Sequence, residues 1–238
     1  MSWTSKPPSN NRTYMYGISV RLCTVIVKEV RMRNESRELR RREIVEHAFA
    51  MLARDGYAAF SMQALAKVSR SSKETLYGWF GGKAGLYEAM VAENAARLVL
   101  PSAEVADGVK ELSRFGAELL SMLLGERAVL LNRVAAAEAG GDATLGTFLA
   151  EKGRDHVMPK LAAYFQALAN QGVMGIAAAE EPAEIWLSLL AGDLQIRRAT
   201  GAIGLPTQEE IDARSARAAQ LTFQLYGTNE KPGAEAGF

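Results

Sequence analysis

The stretch AFSMQALAKVSRSSKETLYGWFGGKAGLYEAM, residues 59–90, carries short helical patterns separated by tight turns. It predicts one helix over residues 61–68 and a second over residues 72–79. The second begins as a capping box, in which Ser71 is the N-cap and Glu74 lies three positions further on. Two short helices joined by such a turn form a helix-turn-helix unit.

An amphipathic helix is predicted before this unit, over residues 37–54, with Gly56 as its stop. Its apolar residues recur with the helical period and are Ile44, Val45, Ala48, Phe49 and Leu52. Three helices in this order allow the third to present its outer face to the major groove of DNA.

The helix over residues 72–79 has side chains suited to that contact. Leu76 and Phe80 lie on its inward face, whereas Tyr77 and Trp79 combine an apolar body with a polar tip that suits the sugar-phosphate backbone. Lys83 follows at the next helix start as a phosphate clamp. The small polar or basic residues at the start of the helix are Ser71, Ser72, Lys73 and Thr75. Packing of Trp79 in the core is the alternative.

Amphipathic segments separated by glycine-marked breaks fill the rest of the chain and show no sustained strand alternation. The sequence predicts an all-α fold of about nine helices. The later helices are expected at about 105–125, 127–139, 143–171, 181–200 and 207–227. The predicted divisions are an N-terminal extension (1–34), a helix-turn-helix domain (35–84), a larger helical domain (85–229) and a C-terminal tail (230–238).

The N-terminal extension differs in character from the rest of the chain. It is polar at first and then carries an apolar run from Ile18 to Val30, which is too short to span a membrane. It also lacks the small-residue cleavage site of a signal peptide. We expect residues 1–31 to be a disordered arm or the product of a mis-assigned start, with Met32 as the native initiator.

Charge is divided unevenly along the chain. Residues 1–83 contain 15 lysines and arginines against 7 acidic residues, and residues 84–238 contain 13 against 20. The basic N-terminal part, residues 1–83, is called the head here, and the acidic remainder, residues 84–238, the body. This division of charge indicates that the head binds a polyanion such as DNA. The chain has one cysteine, Cys23, which excludes an internal disulfide framework. It has only two histidines, which argues against a multi-histidine metal site. No cofactor, metal or membrane association is predicted, and a cytoplasmic, nucleoid-associated location fits.

Residues 59–90 resemble the DNA-binding signature of TetR/AcrR-type transcriptional regulators. The match lies in the run SKETLYGWF (72–80) followed by GKAGL (82–86), in order and spacing. The remaining helices loosely resemble AefR-like C-terminal domains. The resemblance implies that DNA contacts involve Ser61, Ser72, Lys73, Thr75, Tyr77, Trp79 and Lys83. The basic residues Arg37, Arg40, Arg41 and Arg42 would reach flanking phosphates or the minor groove, or form a solvated helix face.

The turn departs from the family pattern, in which Ala-Gly-Val-Ser is usual. Here it reads Ser69-Arg70-Ser71-Ser72, so the missing glycine imposes a left-handed conformation on Arg70 at a cost of about 1 kcal/mol. Arg70 could gain a phosphate contact in return. Glu74 either caps the helix or accepts a hydrogen bond from a cytosine amine.

The resemblance further implies a homodimer whose helical domain senses a small molecule. Helices 181–200 and 207–227 would form a four-helix bundle with their symmetry mates, or would simply close the protomer core. Candidates to line a ligand pocket are Phe115, Met122, Asn132, Phe148, His156, Tyr164 and Trp186, and ordinary core packing is the alternative for each.

Three classes of function remain in view. The first is a dimeric transcriptional regulator that a small apolar or aromatic effector releases from a palindromic operator. Members of the family are usually repressors, so repression is the expected direction. The second is a DNA-binding protein without effector response, which would show salt-dependent but sequence-blind affinity. The third is an all-α enzyme, against which stands the lack of any catalytic constellation in the sequence; we predict no catalytic residues and no enzymatic activity.

Overall fold

The computed structural model describes residues 12–104, 107–141 and 143–228, with the backbone alone for 12–31 and 33. Within these ranges the chain is helical, and its one β-bridge joins Met174 to Gly227. A π-helical turn at Ala150–Arg154 lies between α7 and α8. The α-helices are α1 (Arg12–Ala59), α2 (Met62–Val68), α3 (Lys73–Phe80), α4 (Lys83–Ala95), α5 (Gly108–Leu124), α6 (Glu126–Glu138), α7 (Thr144–Leu149), α8 (Asp155–Asn170), α9 (Glu180–Ala191), α10 (Leu194–Ala199) and α11 (Gln208–Tyr226).

The all-α prediction is confirmed, and the helix count differs only by how segments are divided. The predicted helix 143–171 corresponds to α7, the π-helical turn and α8 in direct succession. The predicted helix 181–200 ends early at Gly192, whose positive φ of 49° ends α9 before α10 begins.

Helix α1 begins at Arg12, well before the predicted start near residue 37. Residues 12–34, expected to be a loose arm, are helical and continuous with the predicted first helix. Gly56 has φ 73° and interrupts the helix at the position where the first helix was predicted to end. The expectations for residues 1–11 and for the tail beyond residue 228 lie outside the described residues, and the Met32 start stays a prediction.

Two hydrophobic cores organise the protein. The first joins α1–α4 to side chains of α6 and α7, among them Leu131, Val134 and Leu145. The second lies between α5, α8, α9 and α11. Because the first core includes residues of α6 and α7, the N-terminal helices are packed onto the body.

Gly116 allows α5, α9 and α11 to approach closely. A Cβ atom at this position would lie 3.2 Å from Cβ of Ser215 and 3.3 Å from Cζ2 of Trp186. Such contacts are tighter than most Cβ contacts in proteins, so a larger residue here would force its neighbours on α9 and α11 to shift.

Candidate DNA-binding surface and ligand cavity

The turn between α2 and α3 is built from local hydrogen bonds. Ser61 caps α2 by accepting from the backbone N–H of Ala64 at 3.1 Å. Arg70 has φ 50°, the left-handed conformation expected from the missing glycine. Ser72, rather than Ser71, is the N-cap of α3, since its hydroxyl accepts from the N–H of Thr75 at 3.0 Å.

The predicted cap at Ser71 is therefore wrong by one residue. The Ser71 hydroxyl lies 3.4 Å from the guanidinium of Arg40, which also donates to the carbonyl of Ser69. This contact from α1 holds the turn and leaves Ser72 to begin the helix.

Helix α3 has one buried face and one polar, exposed face. Leu76 is fully buried and Phe80 is nearly so, as predicted. Ser72 and Lys73 are exposed, Thr75 and Trp79 are half-buried, and Tyr77 retains 45% of its surface exposed. The ammonium of Lys73 lies 5.6 Å from the Tyr77 ring centroid. This face therefore offers hydroxyls, one cation and an aromatic ring side by side.

Arginines of α1 lie against the far end of α3. The Arg37 guanidinium is 5.5 Å from the Trp79 ring centroid, and that of Arg41 is 5.3 Å from the Phe80 ring centroid. These cation–π contacts hold two positive charges at the C-terminal end of α3.

Lys83 has a different environment from the one expected of a free phosphate clamp. Its ammonium lies 3.6 Å from the Tyr57 ring centroid and donates to the Tyr57 carbonyl. Burial lowers the pKa of Lys83. Lys83 would have to leave these contacts to reach a phosphate.

A cavity of about 290 Å³ lies where α4, α5, α6, the π-helical turn, α8, α9 and α10 meet. Its walls are mainly aliphatic and include Val91, Leu119, Leu123, Leu131, Val157 and Leu161. Of the seven predicted pocket residues, Met122 and Asn132 line it. The volume is near the lower end of the ~300–1,000 Å³ range of small-molecule sites.

Three aromatic candidates are placed in the second core instead of the cavity wall. Phe115 stacks on Trp186 with ring centroids 5.6 Å apart. The Tyr164 hydroxyl donates to the Gly108 carbonyl at 3.1 Å, which joins α8 to the start of α5. All three side chains are members of the second core, so they support the packing of the body.

The two remaining candidates also lie away from the cavity. Phe148 is half-buried against the first core. His156 is exposed, and its Nε2 lies 2.7 Å from the ammonium of Lys160 one turn along α8.

Sequence reasoning missed three polar residues of the cavity wall, Asn94, Arg154 and Gln195. Asn94 lies on the same buried face of α4 as Met90 and Val91. An amide in the apolar stripe of an amphipathic helix is the sequence signal that could have found it.

The apolar and small side chains of α9 and α11, the helices predicted to form a four-helix bundle, divide into two groups. Within each protomer the interior positions pack in the second core, and these are Trp186, Leu190, Ile211, Ala218 and Thr222. Ile185 and Leu189 of α9 and Leu221 of α11 stay half-exposed, and Leu225 is 64% exposed. The second group forms the apolar surface of these two helices.

Metal-binding clusters and membrane-spanning helices are both absent from the described residues. Across the ranges that the structure describes, no group of three or more histidine, cysteine or acidic side chains could hold a metal ion. No helix in this part of the chain has the length and hydropathy needed to cross a bilayer.

A capped α3 with a polar exposed face, joined by a tight turn to α2 and packed on a larger helical domain, defines a helix-turn-helix DNA-binding protein. Residues 44–90 match the model of the tetR family of bacterial regulatory proteins, and residues 110–228 match that of the AefR-like transcriptional repressor C-terminal domain. The chain belongs to the TetR family of DNA-binding transcriptional regulators.

Solved structures support the same fold. A TetR transcriptional regulator from Agrobacterium tumefaciens is 29% identical, with a TM-score of 0.70 over 80% of this chain and 95% of that one. A TetR-family regulator from Mesorhizobium loti MAFF303099 is 21% identical, with a TM-score of 0.66 over 80% and 98%. The flavonoid-responsive regulator FrrA is 22% identical, with a TM-score of 0.65 over 81% and 100%. No curated protein sequence matches the chain.

Proposed function

We propose that the protein is a cytoplasmic homodimeric repressor that binds a palindromic operator and releases it when a small apolar or aromatic effector enters the body. The observation that carries this proposal is the pairing of an exposed polar α3 with an aliphatic cavity in one chain.

The proposed DNA contacts are the exposed or half-exposed residues of the helix-turn-helix unit and the arginine beside it. They are Arg41, Ser61, Arg70, Ser72, Lys73, Thr75, Tyr77, Trp79 and Lys83. The hydroxyls and Lys73 would reach base edges and phosphates in the major groove. The excess of basic over acidic residues in 1–83 supplies the sequence-independent attraction.

The proposed dimer interface is the apolar surface of α9 and α11, formed by Ile185, Leu189, Leu221 and Leu225. A second copy would cover these side chains and set the distance between two α3 helices. Light scattering should give twice the chain mass, and Leu221→Glu should shift the protein to a monomer. Leu205→Glu, at a 56% exposed loop position, is the matched control and should stay dimeric.

The cavity is close to the junction between head and body. Its wall includes side chains of α4 and α6, and the Tyr87 hydroxyl of α4 donates to the Leu131 carbonyl of α6 at 2.8 Å. Glu46 of α1 also accepts hydrogen bonds from Arg127 at 2.8 Å and from Arg97 at 3.0 Å. In the proposed dimer, an effector would bind preferentially to the conformation in which the two α3 helices are wrongly spaced for the operator. By linkage, that effector would lower the affinity for DNA.

The test is binding to fragments of the host genome, enriched on the purified protein and then measured singly by fluorescence anisotropy. We expect an inverted repeat in the enriched fragments. Lys73→Ala should weaken binding and reduce the slope of log affinity against log salt by about 1, because one phosphate or base contact is lost. Lys110→Ala, an exposed lysine of α5, is the control and should bind normally. Equal effects of the two variants would contradict the assignment of α3.

A further inference from the structure

The cavity wall contains polar groups that the protein itself leaves unused. Asn94 is 8% exposed, and its amide has no hydrogen-bond partner among the described residues, although it lines the cavity. The Gln195 amide, also in the wall, is likewise without a partner in the described ranges. The Asn132 amide donates to the Ala128 carbonyl at 2.8 Å, which leaves its oxygen as an acceptor.

Neither the Asn94 amide nor the Gln195 amide is sealed from solvent, since among the described residues the fully buried side-chain atoms without a partner are Trp186 Nε1 and Arg198 Nε. The Asn94 amide is therefore open to the cavity or to the neighbouring groove, where a ligand can bond to it.

Charge is nearly absent from the wall. Of the lining residues that the structure describes, Arg154 alone is charged, and its guanidinium lies 3.4 Å from the carboxylate of Glu184. Both side chains of this pair are more than half exposed, so the pair sits at the edge of the cavity. The interior therefore provides carboxamides in an aliphatic surround, which favours an uncharged ligand because burial of an unpaired ion is expensive.

Cavity size limits the ligand further. An apolar cavity of about 150 Å³ holds benzene. A volume of about 290 Å³ therefore has room for roughly two rings or a chain of similar size.

We propose that the effector is an uncharged, mainly apolar molecule of about two rings with a hydroxyl or carbonyl group, and that the Asn94 carboxamide makes the hydrogen bond that orients it. This proposal rests on the proposed function, since it names the class of molecule that the regulator senses. Asn94 belongs to α4, the first helix after the helix-turn-helix unit, so the contact would act on the helix that joins head to body.

The experiment uses the full-length protein and three probes of nearly equal shape, 2-naphthol, 2-methylnaphthalene and 2-naphthoate, measured by calorimetry at pH 7. In the wild type, 2-naphthoate should bind at least about 10-fold more weakly than 2-naphthol, because its carboxylate would be buried without a partner. In Asn94→Leu, the ratio of the two neutral affinities should move about 10-fold toward 2-methylnaphthalene.

Two variants serve as controls. Asn170→Leu makes the same substitution at an exposed position outside the cavity and should leave that ratio unchanged. Asn94→Ala should move the ratio in the same direction as Asn94→Leu, which separates loss of the amide from the presence of a larger side chain. Unfolding midpoints of all variants confirm that each is folded.

Three results would overturn the proposal. Asn94 also borders an open groove lined by Arg97 and Arg127, and an unchanged ratio in Asn94→Leu would show that its amide serves that groove. Tightest binding of 2-naphthoate, lost in Arg154→Gln, would assign the cavity to anions. Absence of binding by all three probes would rule out a neutral two-ring ligand. DNA binding measured on the same samples tests the proposed function separately, so failure of one is distinguishable from failure of the other.

Discussion

Replacement of Leu76 by alanine should destabilise the protein strongly, because this side chain anchors α3 to the first core. Leu76 has no exposed surface and belongs to the same core cluster as Phe80 and Leu65. Loss of three buried carbon groups removes about 2.4 kcal/mol at ~0.8 kcal/mol for each. The unfilled space adds to this, so the expected total is about 3–4 kcal/mol, within the range of ~2–5 kcal/mol seen for such substitutions.

The assay is urea denaturation of the full-length protein followed by circular dichroism. Val68→Ala is the control, since Val68 ends α2 with 47% of its surface exposed and should change stability by less than about 0.5 kcal/mol. A loss below about 1 kcal/mol for Leu76→Ala, or equal losses for both variants, would refute the assignment of Leu76 as the anchor of α3.

Three further predictions concern packing, ionisation and capping. Gly116→Val should lower the free energy of unfolding by about 1–3 kcal/mol, because the larger side chain overpacks the contact of α5 with α9 and α11. Gly146→Val, at a position with open space, should cost far less. Similar losses for the two variants would contradict the close packing at Gly116. A hydrogen bond from Arg127 of α6 lowers the pKa of the Glu46 carboxylate. The stability that ionised Glu46 contributes is therefore fully present above pH ~4.3 and is lost as the pH falls through the lowered pKa. Glu46→Gln should therefore destabilise at pH 7 and converge with the wild type at acidic pH in thermal unfolding, and a constant difference would oppose this. Ser72→Ala should cost about 1 kcal/mol in denaturation and Ser71→Ala less than half of that; the reverse order would assign the cap to Ser71.

The helix-turn-helix unit was predictable because its determinants are local. The Ser61 cap and the inward Leu76 and Phe80 follow from residue type and spacing. The left-handed Arg70 follows from its place in a turn where the family pattern has glycine. The cap of α3 was not determined locally, since two adjacent serines can each begin the helix. Arg40, distant in sequence, selects between them by its contacts with the turn.

The wall of the cavity was mostly not predictable from the sequence, because it depends on how the helices are rotated about their axes. The π-helical turn at Ala150–Arg154 places an extra residue between α7 and α8, so faces that a continuous helix would align are rotated relative to each other. Phe148 accordingly packs on the first core while His156 faces outward. The aromatic candidates were chosen for size, whereas the wall is made of aliphatic and amide side chains.

Specific recognition of DNA by α3 can be measured in a single titration. Fluorescence anisotropy would compare the duplex from the protein's own upstream intergenic region with a scrambled duplex at about physiological salt. We predict a preference of ~10³-fold or more for the native duplex. Equal, salt-sensitive binding to both duplexes, or no binding by the folded dimer, would contradict specific recognition of this region by α3.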